Sequence, residues 1–313
     1  MKAKSSWADA EMKDETMKTN KKSKIGAKQK WFIASIITIP IINFLLFNIG
    51  NIANMVILSF EGYTVESGIF WNNFQNFKDV FADIATPLML TSLKNSVLFY
   101  VIGLIMLLVS LIISFYIYKK MPFSGFFKVL FVMPGMITGM VWVRLFKYFV
   151  QHTVPELFGL DYGWLSTLKT VMPTLIGYGV WLGFAGNMII FVGSMSGISE
   201  ELAEAGRVDG NTMLGEFWHI VLPQVYPIVQ VTLISGVIGL FMSGPPLYDF
   251  YNVYAHESLY SINYFLQVKV LSPGASTAEY AYSSAFSLVL TLIVAPITFL
   301  VKWFTTKYGP SED

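Results

Sequence analysis

Long runs without a charged residue are the feature that most restricts the fold of this chain. A membrane-spanning helix needs about 20 mostly apolar residues. Five runs reach that length, and a sixth, shorter one is interrupted by Arg144 and Lys147. The predicted spans are 31–60, 95–118, 126–150, 170–196, 223–244 and 280–302. The sequence therefore predicts an all-α membrane protein with six transmembrane helices.

Composition agrees with this prediction and excludes several classes of function. Charged residues make up 13% of the chain, whereas soluble domains carry about 25%. There is no cysteine, which excludes disulfides and thiolate sites. The three histidines are scattered, and neither paired carboxylates nor a G-x-x-x-x-G-K-[ST] nucleotide-binding motif is present. We expect no metal site, no enzyme active site and no nucleic-acid binding in this chain.

The distribution of lysine and arginine predicts the orientation in the membrane. With both termini cytoplasmic, fifteen basic residues lie inside and six outside, and nine of the fifteen are lysines of the tail 1–30. That tail is polar and predicted to be disordered, and attraction to anionic lipid stays open. The first apolar run is too long for a cleaved signal peptide. The predicted organisation is a tail 1–30, a membrane domain 31–307 and a cytoplasmic end 308–313.

A polar, charged segment, residues 199–221, separates the fourth and fifth predicted spans. Asp209-Gly210 is typical of a stop and turn, and Asn211 or Thr212 is expected to cap a second short helix. Pro223 is expected to begin the next span, where its missing N–H costs nothing. The expected apolar faces are Leu202, Ala205 and Val208 on the first helix, and Met213, Phe217, Ile220 and Val221 on the second. The segment is thus predicted to be a cytoplasmic helix–turn–helix.

The same segment resembles a known docking loop. Residues Glu204 to Gly210, followed after nine residues by Ile220-Val221-Leu222-Pro223, are similar to the EAA loop of permease subunits in binding-protein-dependent ABC importers. Gly206 stands where the family pattern has a second alanine; glycine weakens a helix by about 1 kcal/mol relative to alanine but keeps the surface small. The resemblance implies coupling to an ATPase through Glu204, Ala205, Gly206, Arg207, Asp209, Gly210, Phe217, Leu222 and Pro223.

Weaker likenesses follow one another in order along the chain. Asn76-Phe77-Lys78 resembles a segment that precedes the second span of sugar permeases, and Asn95-Ser96 resembles the pair that opens that span. Pro134 and Trp142 are similar to the pattern of the third span. Together these likenesses cover roughly Trp31 to Lys307 and resemble the carbohydrate-uptake branch, the maltose- and glycerol-phosphate-type permeases. Residues 244–279 depart from that branch, so a non-sugar solute stays open.

The resemblance implies the type I importer permease fold with a cytoplasmic coupling helix, in a bacterial plasma membrane. The partners it implies are a second homologous permease, two ATPase subunits that carry ATP and magnesium, an extracellular solute-binding protein, membrane lipid and a small-molecule sugar substrate. A secondary transporter is the alternative class. It would use acidic residues or histidine inside the spans for ion coupling, and these are almost absent.

Polar and aromatic side chains inside or near the spans are the candidates for a substrate path. Polar groups at membrane depth usually face protein or water. The alternative is that serine and threonine bond their own helix and that aromatic rings lie at the interface. Arg144 and Lys147 lie near the outer end of the third span, where snorkelling explains them. The candidates are Tyr178, Trp181, Asn187, Gln230, Ser235 and Asp249, with Thr138, Thr232, Ser243 and Thr291 as further polar positions.

Overall fold

A computed structural model of the chain describes residues 26–208 and 210–310, without the side chains of Ala27, Lys30, Phe184, Ala185, Ala203 and Arg207. The chain divides into two compact units, Met1–Met55 and Val56–Asp313. Residues 1–25 of the predicted tail, Asp209, and residues 311–313 of the predicted end lie outside the described residues.

Helices dominate the described chain, and one small hairpin interrupts them. The helices are α1 Ala27–Asn43, α2 Gly50–Ser59, α3 Gln75–Ile84, α4 Pro87–Tyr118, α5 Ser124–Val132, α6 Gly139–Tyr148, α7 Val154–Phe158, α8 Leu168–Met195, α9 Glu200–Val208, α10 Met213–Glu216, α11 Leu222–Ile238, α12 Leu247–Tyr251, α13 Ile262–Leu271 and α14 Thr277–Tyr308. Wider π-helical turns link three helix pairs: Phe44–Ile49, Phe149–Thr153 and Phe217–Val221. Short 3-10 segments are Met133–Met136, Leu240–Met242 and Glu257–Leu259.

Five helical stretches of the described chain are long and apolar enough to cross a membrane, and a sharply bent pair makes a sixth. The five are Trp31–Ser59, Pro87–Tyr118, Leu168–Met195, Met213–Ile238 and Thr277–Tyr308. The bent pair is Ser124–Met136 with Gly139–Phe158. The predicted number of spans is therefore confirmed when the bent pair is counted once, and the fold class is all-α in its membrane part.

A two-stranded hairpin after the first span was not predicted. Strands β1 (Glu61–Thr64) and β2 (Gly68–Trp71) pair antiparallel, with Glu61 opposite Trp71. The buried amide of Asn76, from the motif noted in the sequence, donates to the carbonyls of Ser59 at 2.9 Å and Glu61 at 2.8 Å. Asn76 therefore fixes the start of the hairpin against α3.

The second span begins earlier than predicted. Helix α4 starts at Pro87, with Thr86 as its N-cap accepting from the Met89 amide, because proline suits the first position of a helix. Asn95 and Ser96 therefore lie two turns inside the helix and do not open it. Asn95 Nδ2 donates to the carbonyls of Ser258 and Tyr260.

The third span is not the single straight helix that was predicted. Its two parts meet at an angle of 107°, and the backbone is extended at Ile137 between them. Proline at 134 cannot donate a backbone hydrogen bond, and Trp142 Nε1 donates to the Pro134 carbonyl at 2.6 Å. The indole bond thus holds the two parts together across the break.

Candidate functional site

The predicted docking loop, residues 199–221, is a helix–turn–helix, as the sequence predicted. Helix α9 ends at Val208, Gly210 has φ +80, and helix α10 begins at Met213. The left-handed φ at Gly210 suits glycine. Of the two predicted caps, Thr212 is the one used, because its hydroxyl accepts from the Gly215 amide at 3.2 Å.

Pro223 lies in the first turn of α11, as predicted, but this helix is not the start of a separate helical segment. Helical structure is continuous from Met213 to Ile238, and the π turn Phe217–Val221 lies directly before the proline. Proline has no N–H to donate to the carbonyl four residues earlier, and the widened turn accommodates this without a break. The second half of the docking loop is therefore the first part of the fifth span.

Gly206 has a structural reason for replacing the alanine of the family pattern. The residue is buried, and a Cβ at this position would overlap Ile220 Cδ1 and lie 3.3 Å from Asn211 Nδ2. The Asn211 amide also donates to the Gly206 carbonyl at 3.0 Å. Gly206 is thus the point at which α9 packs on the second half of the loop.

Every residue of α9 whose burial is described, apart from Gly206, is exposed. This includes the predicted stripe: Leu202 is 46% exposed, Val208 is 88% exposed, and Ala205 is also exposed. Glu204 is exposed beside it and makes no ion pair with any side chain that the structure describes. Arg207 lies on α9, but its side chain is outside the description. Glu204, Ala205 and Val208 lie on one side of the helix, and among the described residues this face is exposed. Leu202 lies four residues before Gly206, on the side of the helix that carries Gly206.

The inner half of the docking loop is buried against two spans. Phe217 and Val221 belong to one cluster with residues of α4 and α8, and the rings of Phe217 and Phe115 lie 5.0 Å apart. Leu222 packs at its edge. Met213, predicted on the same face, is 41% exposed instead. Phe217 and Leu222 therefore attach the loop to the membrane domain and do not face outward.

An ion pair that the sequence reading missed joins the loop to the end of α4. Lys119 Nζ lies 2.8 Å from both carboxylate oxygens of Glu216, and the two side chains are only 15% and 6% exposed. The partners are 97 residues apart in the chain, so no local pattern could have indicated the pair. It ties the docking loop to the second span.

Two neighbouring cavities between α4, α8 and α11 bring several predicted path residues together. Their volumes are about 220 and 330 Å³, and both are lined by Gly103, Asn187 and Ser243. Ser235 and Thr232 line the larger one. Ser243 and Thr232 bond carbonyls of their own chain segments, whereas the Asn187 amide has no hydrogen-bond partner among the described residues. The Ser235 hydroxyl likewise has no described partner, so Asn187 and Ser235 are the predicted path residues of these cavities that are free to bind a solute.

Other predicted path residues lie elsewhere. Gln230 donates to the hydroxyls of Thr305 and Thr306 on α14, so its amide joins two helices. Tyr178 is 1% exposed, with Phe146 at 4.9 Å and Phe250 at 5.1 Å, which leaves no open ring face in this conformation.

Three further predicted positions also lie away from these cavities. Trp181 packs edge-on against Trp142 at 4.8 Å. Asp249 is exposed on α12. Thr291 bonds the Ser287 carbonyl of its own helix. None of the three lines the two cavities described above.

Comparison with known proteins agrees with this geometry. Residues 118–311 match the family described as binding-protein-dependent transport system inner membrane component. The chain is 26% identical over 290 residues to the probable ABC transporter permease protein YesP of Bacillus subtilis, covering 86% of this chain and 88% of that protein. It is 24% identical to the lactose transport system permease protein LacF of Rhizobium radiobacter, covering 68% and 75%.

A solved structure shares the fold. It is the crystal structure of a bacterial ABC transporter involved in the import of the acidic polysaccharide alginate. One chain of it aligns with a TM-score of 0.66 at 17% identity, covering 90% of this chain and 97% of that one. At this identity the likeness concerns the fold, and it agrees with the predicted six-span architecture.

Proposed function

The chain belongs to the family of binding-protein-dependent transport system inner membrane components, and from this membership we propose that it translocates a sugar or an oligosaccharide across a bacterial plasma membrane. It is a transmembrane permease subunit of an ABC importer and not an enzyme. A sugar as the solute is supported by the lactose permease among its relatives. The cavities at Asn187 support it as well, because an amide can both donate to and accept from sugar hydroxyls.

The proposed partners are a second homologous permease, two ATPase subunits that bind ATP and magnesium, and an extracellular solute-binding protein. The observation that carries the ATPase contact is the open face of α9. Ala205 and Val208 expose apolar surface beside Glu204, which pairs with no side chain that the structure describes, and exposed apolar patches mark interaction sites. We place this face and both termini on the cytoplasmic side.

The proposed mechanism moves the docking loop as a lever. Closure of the ATPases on ATP displaces α9. Because Gly206 packs directly against the second half of the loop, that half moves with α9. The Lys119–Glu216 pair and Phe217 then transmit this movement to α4 and α8. These two helices carry Gly103 and Asn187 of the cavities, so the movement reaches the solute path. Solute affects the cycle only through different affinities for the inward- and outward-facing states.

Affinity purification of the chain from its native membrane tests this function. We expect a second permease and an ATPase to co-purify with the wild type, and Glu204→Lys to lose the ATPase because it reverses the charge on the docking face. Glu156→Lys, the same change at an exposed position of α7, is the matched control and retains it. Recovery of the wild-type chain alone, with intact membrane insertion, would contradict the proposal.

A further inference from the structure

We propose that a cleft at the predicted outer end of the third span binds the carboxylate of an acidic saccharide, so that the imported sugar carries a negative charge. This inference rests on the proposed function and names its substrate class. The cleft has a volume of about 600 Å³. Its lining includes Arg144, Lys147, Tyr148, His152, Asp161 and Tyr162.

The two cations of this cleft are not neutralised by an acid within the described chain. Arg144 is exposed and makes no hydrogen bond or ion pair there. Lys147 Nζ donates to the Phe250 carbonyl at 2.9 Å and lies 5.7 Å from the centre of the Tyr251 ring. Burial raises the pKa of Tyr251 to about 12, so that phenol stays neutral at physiological pH. Asp161, the acid of the lining, is paired with neither cation.

The guanidinium group of Arg144 favours a carboxylate as the bound group. Its planar set of donors matches a carboxylate with two parallel hydrogen bonds, a geometry that a neutral sugar hydroxyl does not offer. The rings of Tyr148 and His152 lie 4.9 Å apart at an angle of 36° and form one aromatic wall. Tyr162 is also exposed into the cleft. Aromatic walls with a few convergent polar groups are typical of small-molecule sites.

The cleft is held in shape by the backbone. A Cβ on Gly163 would lie 2.6 Å from Gln151 Cα, so only glycine allows this approach of the two chain segments. The Trp164 amide donates to the Val150 carbonyl at 3.2 Å, and the Ser166 hydroxyl donates to Gln151 Oε1 at 3.1 Å. These contacts fasten the loop to the π turn Phe149–Thr153. Such turns are frequent at functional sites.

The cleft is connected through α12 to the segment that lines the smaller cavity at Asn187. The Phe250 carbonyl that accepts from Lys147 belongs to α12. The segment Ser243-Gly244-Pro245, which lines the smaller cavity at Asn187, lies directly before that helix. The Lys147 bond thus links the cleft to the chain segment that continues to the cavity.

Binding to the complete purified transporter in lipid nanodiscs tests the inference. The probes are cellobiouronate and cellobiose, which differ by one carboxylate, without added solute-binding protein. We expect cellobiouronate to bind about ten-fold more tightly, as a charge-assisted hydrogen bond provides, and Arg144→Gln to remove this preference. Lys169→Gln removes the same charge from an exposed position that does not line the cleft, and this control keeps the preference.

The lipid composition separates the sugar from an anionic headgroup, which offers similar chemistry. Nanodiscs of phosphatidylcholine alone and nanodiscs with added phosphatidylglycerol should bind cellobiouronate equally. Loss of binding with phosphatidylglycerol would assign the cleft to lipid and overturn the inference. Equal binding of both sugars, no detectable binding of either, or an unchanged preference in Arg144→Gln would overturn it too. ATPase activity and sugar uptake by the same complex would leave the proposed function intact in each case.

Discussion

At the residue scale, the Lys119–Glu216 ion pair is the contact whose loss should lower the stability of the protein most. Both side chains are largely buried, and the ammonium contacts both carboxylate oxygens at 2.8 Å. Removal of one partner leaves a buried charge without compensation, which costs far more than the pair contributes to stability. The pair also lies between the docking loop and α4, so its loss affects coupling as well as stability.

We predict that Lys119→Met lowers the free energy of unfolding of the detergent-solubilised chain by about 3–5 kcal/mol. The double variant Lys119→Met/Glu216→Leu should recover most of this loss, because neither charge then remains buried. Lys120→Met, a neighbouring exposed lysine, is the control and should change the stability little. A single variant no less stable than this control would show that the buried pair does not contribute as described.

The docking-loop residues divide into those that sequence could place and those it could not. The resemblance pointed to the whole stretch, and the alternation of charge and small residues indicated a turn at Gly210. The sequence could not tell that Glu204 and Ala205 face outward while Gly206 packs against Ile220. That distinction depends on where the second helix crosses the first, and crossing is a property of tertiary packing.

At the element scale, α4 is not only an apolar span, because its polar side chains make hydrogen bonds to a distant part of the chain. Asn95 donates to two carbonyls of the segment before α13, at 2.9 and 2.8 Å, and the Ser96 hydroxyl accepts from the Ile262 amide at 2.9 Å. These bonds cross more than 160 residues of sequence. They hold the connection between the fifth and sixth spans on the second span.

We predict that Asn95→Leu releases this connection. Two carbonyls lose their donor, at a cost of about 1–3 kcal/mol for each one that stays unsatisfied. Hydrogen–deuterium exchange of residues 257–262 in the purified complex should therefore become faster. Thr91→Val is the control, since the Thr91 hydroxyl bonds only the Pro87 carbonyl of its own helix. Unchanged exchange in Asn95→Leu would mean that other contacts hold the segment.

The element that the sequence described least well is the third span. Its apolar run was shorter than the others and interrupted by Arg144 and Lys147. The helix breaks at residues 137 and 138 and turns by 107°, so the part from Gly139 onward does not continue the first part in a straight line. Proline and glycine indicate that a break is allowed, but the angle depends on the Trp142 bond and on packing.

At the scale of the whole molecule, the cavities lie between the same helices that receive the docking loop. Asn187 on α8 faces Ser243 and Ser235 across a space left open by Gly103, Gly179 and Gly183. Small residues let helices approach closely and leave room between them. The number of spans and the helix–turn–helix form of the docking loop followed from the sequence. Asn187 and Ser235, the two predicted path residues that line the cavities, stay predictions for the solute path. The bonds from Gln230 on α11 to α14 could not be predicted, because an amide in a span indicates a partner without identifying it.

We predict that Asn187→Leu slows ATP-driven sugar uptake in reconstituted vesicles by about two- to ten-fold, the effect of losing one hydrogen bond to a sugar hydroxyl. Co-purification of the ATPase should be unchanged, since α9 is untouched. Ser196→Ala, at the exposed end of the same helix, serves as the control. Uptake at the wild-type rate in Asn187→Leu would remove this residue from the path.

Site-directed cross-linking in native membranes tests the docking of α9 on an ATPase most directly. The chain has no cysteine, so one introduced thiol is unique. Val208→Cys lies on the docking face at a position 88% exposed. Val65→Cys lies in the hairpin after the first span, which the proposed orientation places outside the cell, at a position 92% exposed. We predict that a bifunctional cross-linker joins Val208→Cys, but not Val65→Cys, to an ATPase subunit identified by mass spectrometry. No ATPase adduct at position 208, or equal adducts at both positions, would contradict the docking of α9 on an ATPase.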